Sequence, residues 1–276
     1  MNELEQSLEQ SFTAAARLLK QGDGLMITAG AGMGVDSGLP DFRGDHGFWK
    51  AYPMLGELGI SFFEMANPKH FAGEPTMGWG FYGHRLQLYR ATLPHAGFGK
   101  LLELAARCEH GAFVFTSNVD GHFQRAGFAP ERVVECHGSI HHLQCLEKCG
   151  QQIWSADAFH PEIDHAKCRL TSEPPRCPHC GGLARPNILM FGDWDWDESR
   201  ARDQLAHMQS WVEKVERLVV IELGAGTAVA TVRAFSERLN CSLVRINPTD
   251  HDVPKEGDVG IACGALEGIT GILAAQ

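Results

Sequence analysis

Short apolar runs alternate with longer stretches of helical spacing along most of the chain. Leu4, Leu8, Phe12, Ala15, Leu18 and Leu19 recur at the interval of one helix face, which predicts a helix from about Leu4 to Lys20 lying against a sheet. Gly24 to Thr28, Ala112 to Thr116, Val133 to Glu135, Leu218 to Leu223 and Ser242 to Ile246 are runs of strand length. Leu218 to Leu223 is apolar except for Glu222 and suits a central parallel strand. Between the runs, Leu86 to Cys108 reads as helix split by Pro94, Phe123 to Gly127 as a short helix, and Glu198 to Glu216 as a longer one. A further helix is expected to end near Leu239. Asp45 to Gly80, rich in glycine, proline and aromatics, reads as a helical insertion with loops. His141 to Arg185 is irregular and cysteine-bearing, and Pro186 to Phe191 resumes a strand-like run. The alternation predicts an α/β fold, a doubly wound parallel sheet interrupted by a smaller module.

Composition narrows the classes. A hydrophobic content of 44% over 276 residues supports a sizeable core. The formal net charge of −10 argues against a surface that tracks nucleic-acid phosphates, so no nucleic-acid partner is expected. The acidic start Met1-Asn-Glu-Leu-Glu-Gln has no signal-peptide core, and no apolar run is long enough to span a membrane. A cytoplasmic protein without a membrane partner is the expectation. Nine cysteines suit thiols and metal ligands in a reducing compartment.

Chemistry concentrates at the predicted strand ends. Ala29 to Gly44 reads A-G-A-G-M-G-V-D-S-G-L-P-D-F-R-G, and Gly30, Gly32 and Gly34 would let backbone N–H groups approach a phosphate. The hydride-transfer fingerprint G-x-G-x-x-G is not met, because Val35 holds its last position. Two further strands end on polar residues, one at Ser117-Asn118-Val119-Asp120 and one at Cys136-His137-Gly138, as ligand sites do at the carboxyl ends of parallel strands. An Asx turn capping the next helix would equally explain Asn118 and Asp120. His137 has the side chain best suited to accept a proton near neutrality. Cys145, Cys149, Cys177 and Cys180 form two knuckles with the spacing of a four-cysteine zinc site, with Cys168, His142 or His179 as alternative ligands. Tyr82 and Arg85, three residues apart on one helical face, form a pair able to hold a carboxylate.

Together these residues resemble the sirtuins, the NAD-dependent protein deacylases. The first stretch is similar to G-A-G-x-S-x-x-S-G-I-P-x-F-R, with Gly34 standing where the family usually has Ser. Thr116 to His122 resembles T-Q-N-I-D-x-L, with Ser117 in place of Gln. Gly226-Thr227-Ala228-Val229 resembles G-T-S-x-x-V, Ile246-Asn247 resembles I-N, and Phe191-Gly192-Asp193 resembles F-G-E. The first cysteine pair is spaced C-x3-C where the family commonly has C-x2-C. The resemblance covers roughly Gly24 to Ile261.

It implies a Rossmann-like NAD-binding domain from 1–45, 86–140 and 186–276, with a helical insertion 46–85 and a zinc-ribbon insertion 141–185 forming the small domain. It implies NAD as a consumed co-substrate held by Gly30, Ala31, Gly32, Asp41, Phe42, Arg43, Ser117, Asn118, Asp120, Gly226, Thr227 and Asn247. His137 is then the general base, assisted by Asn118 and Asp120, and an acylated peptide lies along Phe191 and Gly192 as an added strand. Tyr82 and Arg85 match the Y-x-x-R of the desuccinylating and demalonylating members. The implied activity is removal of acyl groups from protein lysine, with release of nicotinamide and O-acyl-ADP-ribose. A protein ADP-ribosyltransferase or NAD hydrolase in the same pocket is the alternative, and a non-catalytic NAD-binding module a third.

Overall fold

The computed structural model describes residues 3–40 and 44–276. Its strands, in chain order, are β1 (Gly24–Ala29), β2 (Ala112–Thr116), β3 (Val133–Glu135), β4 (Gly138–Cys145), β5 (Trp154–Ser155), β6 (Ile163–Asp164), β7 (Arg169–Leu170), β8 (Ala184–Ile188), β9 (Leu218–Leu223), β10 (Ser242–Ile246) and β11 (Val259–Ile261). Six of them form one sheet in the order β11-β10-β9-β1-β2-β3, parallel throughout. The order reverses beside β1, which places a crevice at the carboxyl ends of β1 and β9. This is the Rossmann-like doubly wound sheet expected from the sequence.

Both faces of the sheet are covered, which is why its strands are apolar along their whole length. Every residue of β1 is buried. Helices Glu3–Leu19, Ala96–Ala105 and Ala265–Ala274 close one face around Ile27, Val114, Ile221 and Ile269. Helices Ser199–Val212 and Thr231–Arg238 close the other around Met26, Phe113, Trp211 and Val232. Phe115 stacks on Phe235 with ring centroids 3.7 Å apart and fixes the second of these helices. The lone acid of β9, Glu222, is 1% exposed and meets Arg245 of β10, its register partner, at 2.5 Å. A buried carboxylate survives in a central strand because that guanidinium neutralises it.

A smaller module is built on β5-β4-β8 and on the two-stranded β6-β7. Helix Pro75–Ala91 packs against β7 and β6, and its aromatic residues join Phe48, Tyr52 and Phe71 in a separate core. The sequence pattern gives helical spacing from Leu86, with Tyr82 and Arg85 on a helical face just before it, and does not show that one helix runs unbroken from Pro75. Three glycines hide the earlier turns: helix propensity disfavours them, yet a Cβ on Gly80 would lie 2.1 Å from the Cys168 carbonyl oxygen. The strand expected at Pro186 to Phe191 begins two residues earlier and ends at Ile188. β4 runs into the stretch that reads as irregular, because its polar positions leave no clean alternation. No described helix is long and apolar enough to cross a membrane.

Candidate active site

The loops after β1 and β9 interlock. Gly32 N–H donates to the Gly224 carbonyl at 3.0 Å, and Gly30 N–H to that of Leu223 at 3.0 Å. A Cβ on Gly30 would sit 2.8 Å from both the Ala225 Cα and the Gly224 oxygen, so close backbone approach requires glycine there. Ala31 leads into the short helix Gly32–Val35. Gly34, the departure from the family pattern, faces Leu39, whose Cδ1 lies 3.0 Å from where a Cβ would stand. Leu39 therefore takes space that a larger residue at position 34 would need.

Asn118 ties the next strand end to this loop, its Nδ2 donating to the Gly30 carbonyl at 2.9 Å. Thr116 Oγ1 donates to the Ala29 carbonyl and accepts from Asn118 N–H, fixing the turn from which Asn118 projects. Ser117 is half-buried, and its N–H donates to Ala29. Cys136 N–H donates to the Thr116 carbonyl at 2.9 Å, so His137 leaves β3 beside the strand end that carries Asn118. The His137 ring makes no hydrogen bond among the described residues, and burial holds its pKa below the ordinary imidazole value of 6.5. Gly138 then adopts φ +77° and approaches the Asn187 carbonyl so closely that a Cβ would lie 2.0 Å away. That glycine lets the chain turn from the parallel sheet into β4.

Asp120 is 8% exposed. Its Oδ1 accepts from His122 N–H at 2.9 Å, so the Asx turn read as one alternative is present. His141 Nε2 donates to the Asp120 carbonyl at 2.9 Å, a contact between residues 21 apart in the chain that no local signal announces. Gly226 has open space where a side chain would be, and Thr227 is exposed. Asn247 is 1% exposed with its amide engaged: Nδ2 donates to Ala225, and Oδ1 accepts from the N–H groups of Thr249 and Asp250. It shapes the loop after β9 rather than offering a free amide. Asp41, Phe42 and Arg43 lie outside the described residues.

Phe191 packs edge-on against Phe62, and its N–H donates to Ala66. Gly192 follows with φ +66°. Asp193 is committed to the fold, forming a bidentate pair with Arg185 at 2.6 and 2.9 Å, with side chains 0% and 1% exposed. Its carboxylate also accepts from Asp195 N–H, which closes the turn after Gly192. Sequence reasoning missed Arg185, whose only signal was an arginine within an apolar run. Asp193→Ala strands this guanidinium and is expected to destabilise the chain by about 3–5 kcal/mol in denaturant unfolding. A loss below about 1 kcal/mol would remove the buried pair from this account.

Tyr82 and Arg85 are both buried, at 1% and 9% exposure. The guanidinium carbon of Arg85 lies 5.8 Å from the Tyr82 ring centre and 5.3 Å from those of Phe81 and Tyr89. Its Nε and Nη2 donate to the Tyr89 hydroxyl. Burial pushes the Tyr89 phenol up, Arg85 pulls it down, and the Asp120 carboxylate adds a smaller upward push.

The four cysteines meet as their spacing predicts. Cys145 and Cys180 sulfurs are 3.6 Å apart, Cys149 and Cys177 3.5 Å, and all four lie within 4.8 Å of one another. The two shortest separations lie near the roughly 3.8 Å edge of a tetrahedron with metal–sulfur bonds of about 2.3 Å. Cys168 is buried apart from them beside Gly80, and His142 is not in the group. His179 Nδ1 touches the Cys149 sulfur from outside at 3.4 Å.

Residues 30–231 match the model of the Sir2 family. The chain belongs to the Sir2 family. It is 32% identical over 247 residues to the NAD-dependent protein deacylase 2 of Pyrobaculum aerophilum, covering 89% of this chain and 88% of that protein. It is 29% identical over 262 residues to an NAD-dependent protein deacylase of Thermus thermophilus, covering 94% and 92%. Among solved structures, a Sir2 homologue in complex with NAD superposes with a TM-score of 0.68 at 24% identity, covering 95% of this chain and 92% of that one. That likeness establishes a shared fold.

Proposed function

We propose that this Sir2-family protein is an NAD-dependent protein-lysine deacylase. The observation that carries the reading is the join at one edge of the sheet: the Gly30 loop, Asn118 bonded to it, and His137 on the adjacent strand. NAD enters as a substrate whose nicotinamide is displaced by the acyl oxygen, and the acyl group ends on the ribose. The N–H groups of Gly30, Gly32 and Gly224 are bonded to the Leu223, Gly224 and Ile246 carbonyls, so the neighbouring Ala31, Ala225 and Gly226 would receive the pyrophosphate, while Asn118 orients the ribose and Asp120 the carboxamide. His137 accepts the proton of a ribose hydroxyl as that oxygen attacks the acyl carbon. Phe191 and Gly192 line the peptide, with Asp193 and Arg185 holding their turn from below. The four thiols would hold a zinc ion with no open ligand position, a structural role.

The base must be neutral to act, so the acid limb of kcat/KM reports its protonation. Because burial lowers the His137 pKa, activity should persist below pH 6.5 before it falls. A midpoint above 6.5 in a pH–rate profile would contradict that assignment.

The finer reading is a preference for acidic acyl chains such as succinyl and malonyl. The buried Arg85 guanidinium beside the Tyr82 ring supports it. Arg85→Met is expected to lower kcat/KM on succinyl-lysine peptides at least about tenfold more than on acetyl-lysine peptides. Equal losses on both would refute the preference.

Ser117, where the family carries Gln, favours a second reading in which the ADP-ribosyl group passes to another acceptor. Incubation with NAD labelled in its adenylate half separates the two. Label retained on protein supports transfer, and label recovered as O-acyl-ADP-ribose supports deacylation.

A further inference from the structure

The short helix Gly32–Val35, which follows the Gly30 loop, does not hold its own shape. It is four residues long, two of them glycine, and its N-cap Ala31 offers no side-chain bond. Glycine costs about 1 kcal/mol at a helical position, and a single turn does not offset the cost of nucleation. Position 34, where the family usually has Ser, contributes no side chain.

The conformation of this segment is therefore set by its neighbours. Gly32 N–H is bonded to the Gly224 carbonyl, and Asp36, just after the helix, accepts the Leu266 N–H at 2.8 Å. His95, which is half-buried, adds two bonds. Its backbone N–H donates to Ser37 Oγ at 3.0 Å, and its ring Nε2 donates to the Met33 carbonyl at 3.0 Å. The other ring nitrogen is engaged as well: Nδ1 accepts from Gly97 N–H at 3.0 Å and caps the helix Ala96–Ala105. Because a backbone N–H only donates, Nδ1 is the acceptor, and the proton of the neutral ring sits on Nε2, facing Met33. A Cβ on Gly97 would lie 2.5 Å from His95 Cε1, so glycine there leaves the ring its place. Met33 N–H in turn donates to the Gly30 carbonyl, the oxygen that also accepts from Asn118. One residue, Met33, thus links His95 to the junction of the two strand ends.

We propose that His95 is a positioning residue for the NAD loop: through Met33 it holds Ala31 in the conformation that receives the pyrophosphate, without touching the cofactor. The proposal rests on the reading of this loop as an NAD site. The two ring nitrogens have separable roles. The cap on Gly97 serves stability, an N-cap being worth about 1 kcal/mol. The bond to Met33 serves the loop and is felt as affinity.

Two substitutions separate the roles. Asn places an acceptor near the position of Nδ1 and reaches no further, whereas Gln carries an amide donor out to the position of Nε2 and leaves Gly97 N–H uncapped. The test is calorimetric titration of the full chain with NAD and with ADP-ribose, no peptide present, alongside thermal melting. His95→Asn is expected to weaken both ligands about tenfold while melting higher than His95→Gln. His95→Gln is expected to melt lower yet bind within about twofold of the parent. A merely structural role would order affinity and melting temperature alike. Parental affinity in His95→Asn, or equal weakening in the two variants, would overturn the proposal while leaving the NAD reading intact. A parent that binds neither ligand would refute the NAD reading itself, and this proposal with it.

Discussion

Alanine at position 137 is expected to lower kcat/KM for acyl-lysine turnover by about 10²–10⁴-fold, the range a positioned general base contributes. The fold should survive the change. The His137 ring is half-buried and makes no hydrogen bond among the described residues, so its removal leaves no stranded partner. The features that shape the turn belong to its neighbours: Cys136 N–H on Thr116, the Leu189 N–H on the His137 carbonyl, and the left-handed Gly138. Circular dichroism and the melting temperature of His137→Ala should therefore match the parent. Retained turnover in a folded variant would move the base elsewhere.

The second large effect is expected at the thiol cluster. Cys177 is 3% exposed, and its side chain stands 3.5 Å from that of Cys149. With a metal bound, Cys177→Ala removes one of four ligands, leaving the knuckles joined through the Cys145–Ala184 end of the β4–β8 pairing and the Arg176–Leu183 bridge. β6 and β7 are two residues each, and the turn around Cys177 rests on local bonds such as Cys177 N–H to Gly182. Because the free energy of binding a structural zinc is largely folding free energy of its module, loss of a ligand or chelation should unfold the ribbon. The parallel sheet, with its own core, should persist. We expect one zinc per chain by elemental analysis of the parent, less in Cys177→Ala, and faster proteolysis within 141–185. A variant with undiminished zinc would return the fourth ligand position to His179, which already touches Cys149.

The sheet was legible because its strands are buried on both faces, so burial appears in the sequence as uninterrupted apolar runs. The site loops were legible for a related reason: Gly30, Asn118 and His137 each follow such a run, and the strand order brings those ends together. What stayed hidden depends on distant partners. Asp193 reads only as the acid of a segment resembling F-G-E until Arg185 of β8 is seen paired with it. Asn247 reads as a ligand amide, and its hydrogen bonds join the loop after β9, at Ala225, to its own loop after β10, at Thr249. The helix Pro75–Ala91 was obscured by glycines that its close contact with β7 requires, a tertiary reason that local propensity does not carry. β11 extends the sheet beyond the last predicted strand and the helix Ala265–Ala274 covers it; Val259-Gly260-Ile261 carries a glycine at its centre and is only partly buried, so it has no apolar run to announce it.

The central claim is that NAD is cleaved here on behalf of an acyl-lysine. The most direct measurement is nicotinamide release from NAD with and without acyl-lysine peptide, with products followed by mass spectrometry. Release that depends on the peptide, with one O-acyl-ADP-ribose and one free lysine formed per nicotinamide, is the predicted result. Nicotinamide released at the same rate without peptide, or no release with any acetyl, succinyl or malonyl peptide, would contradict it.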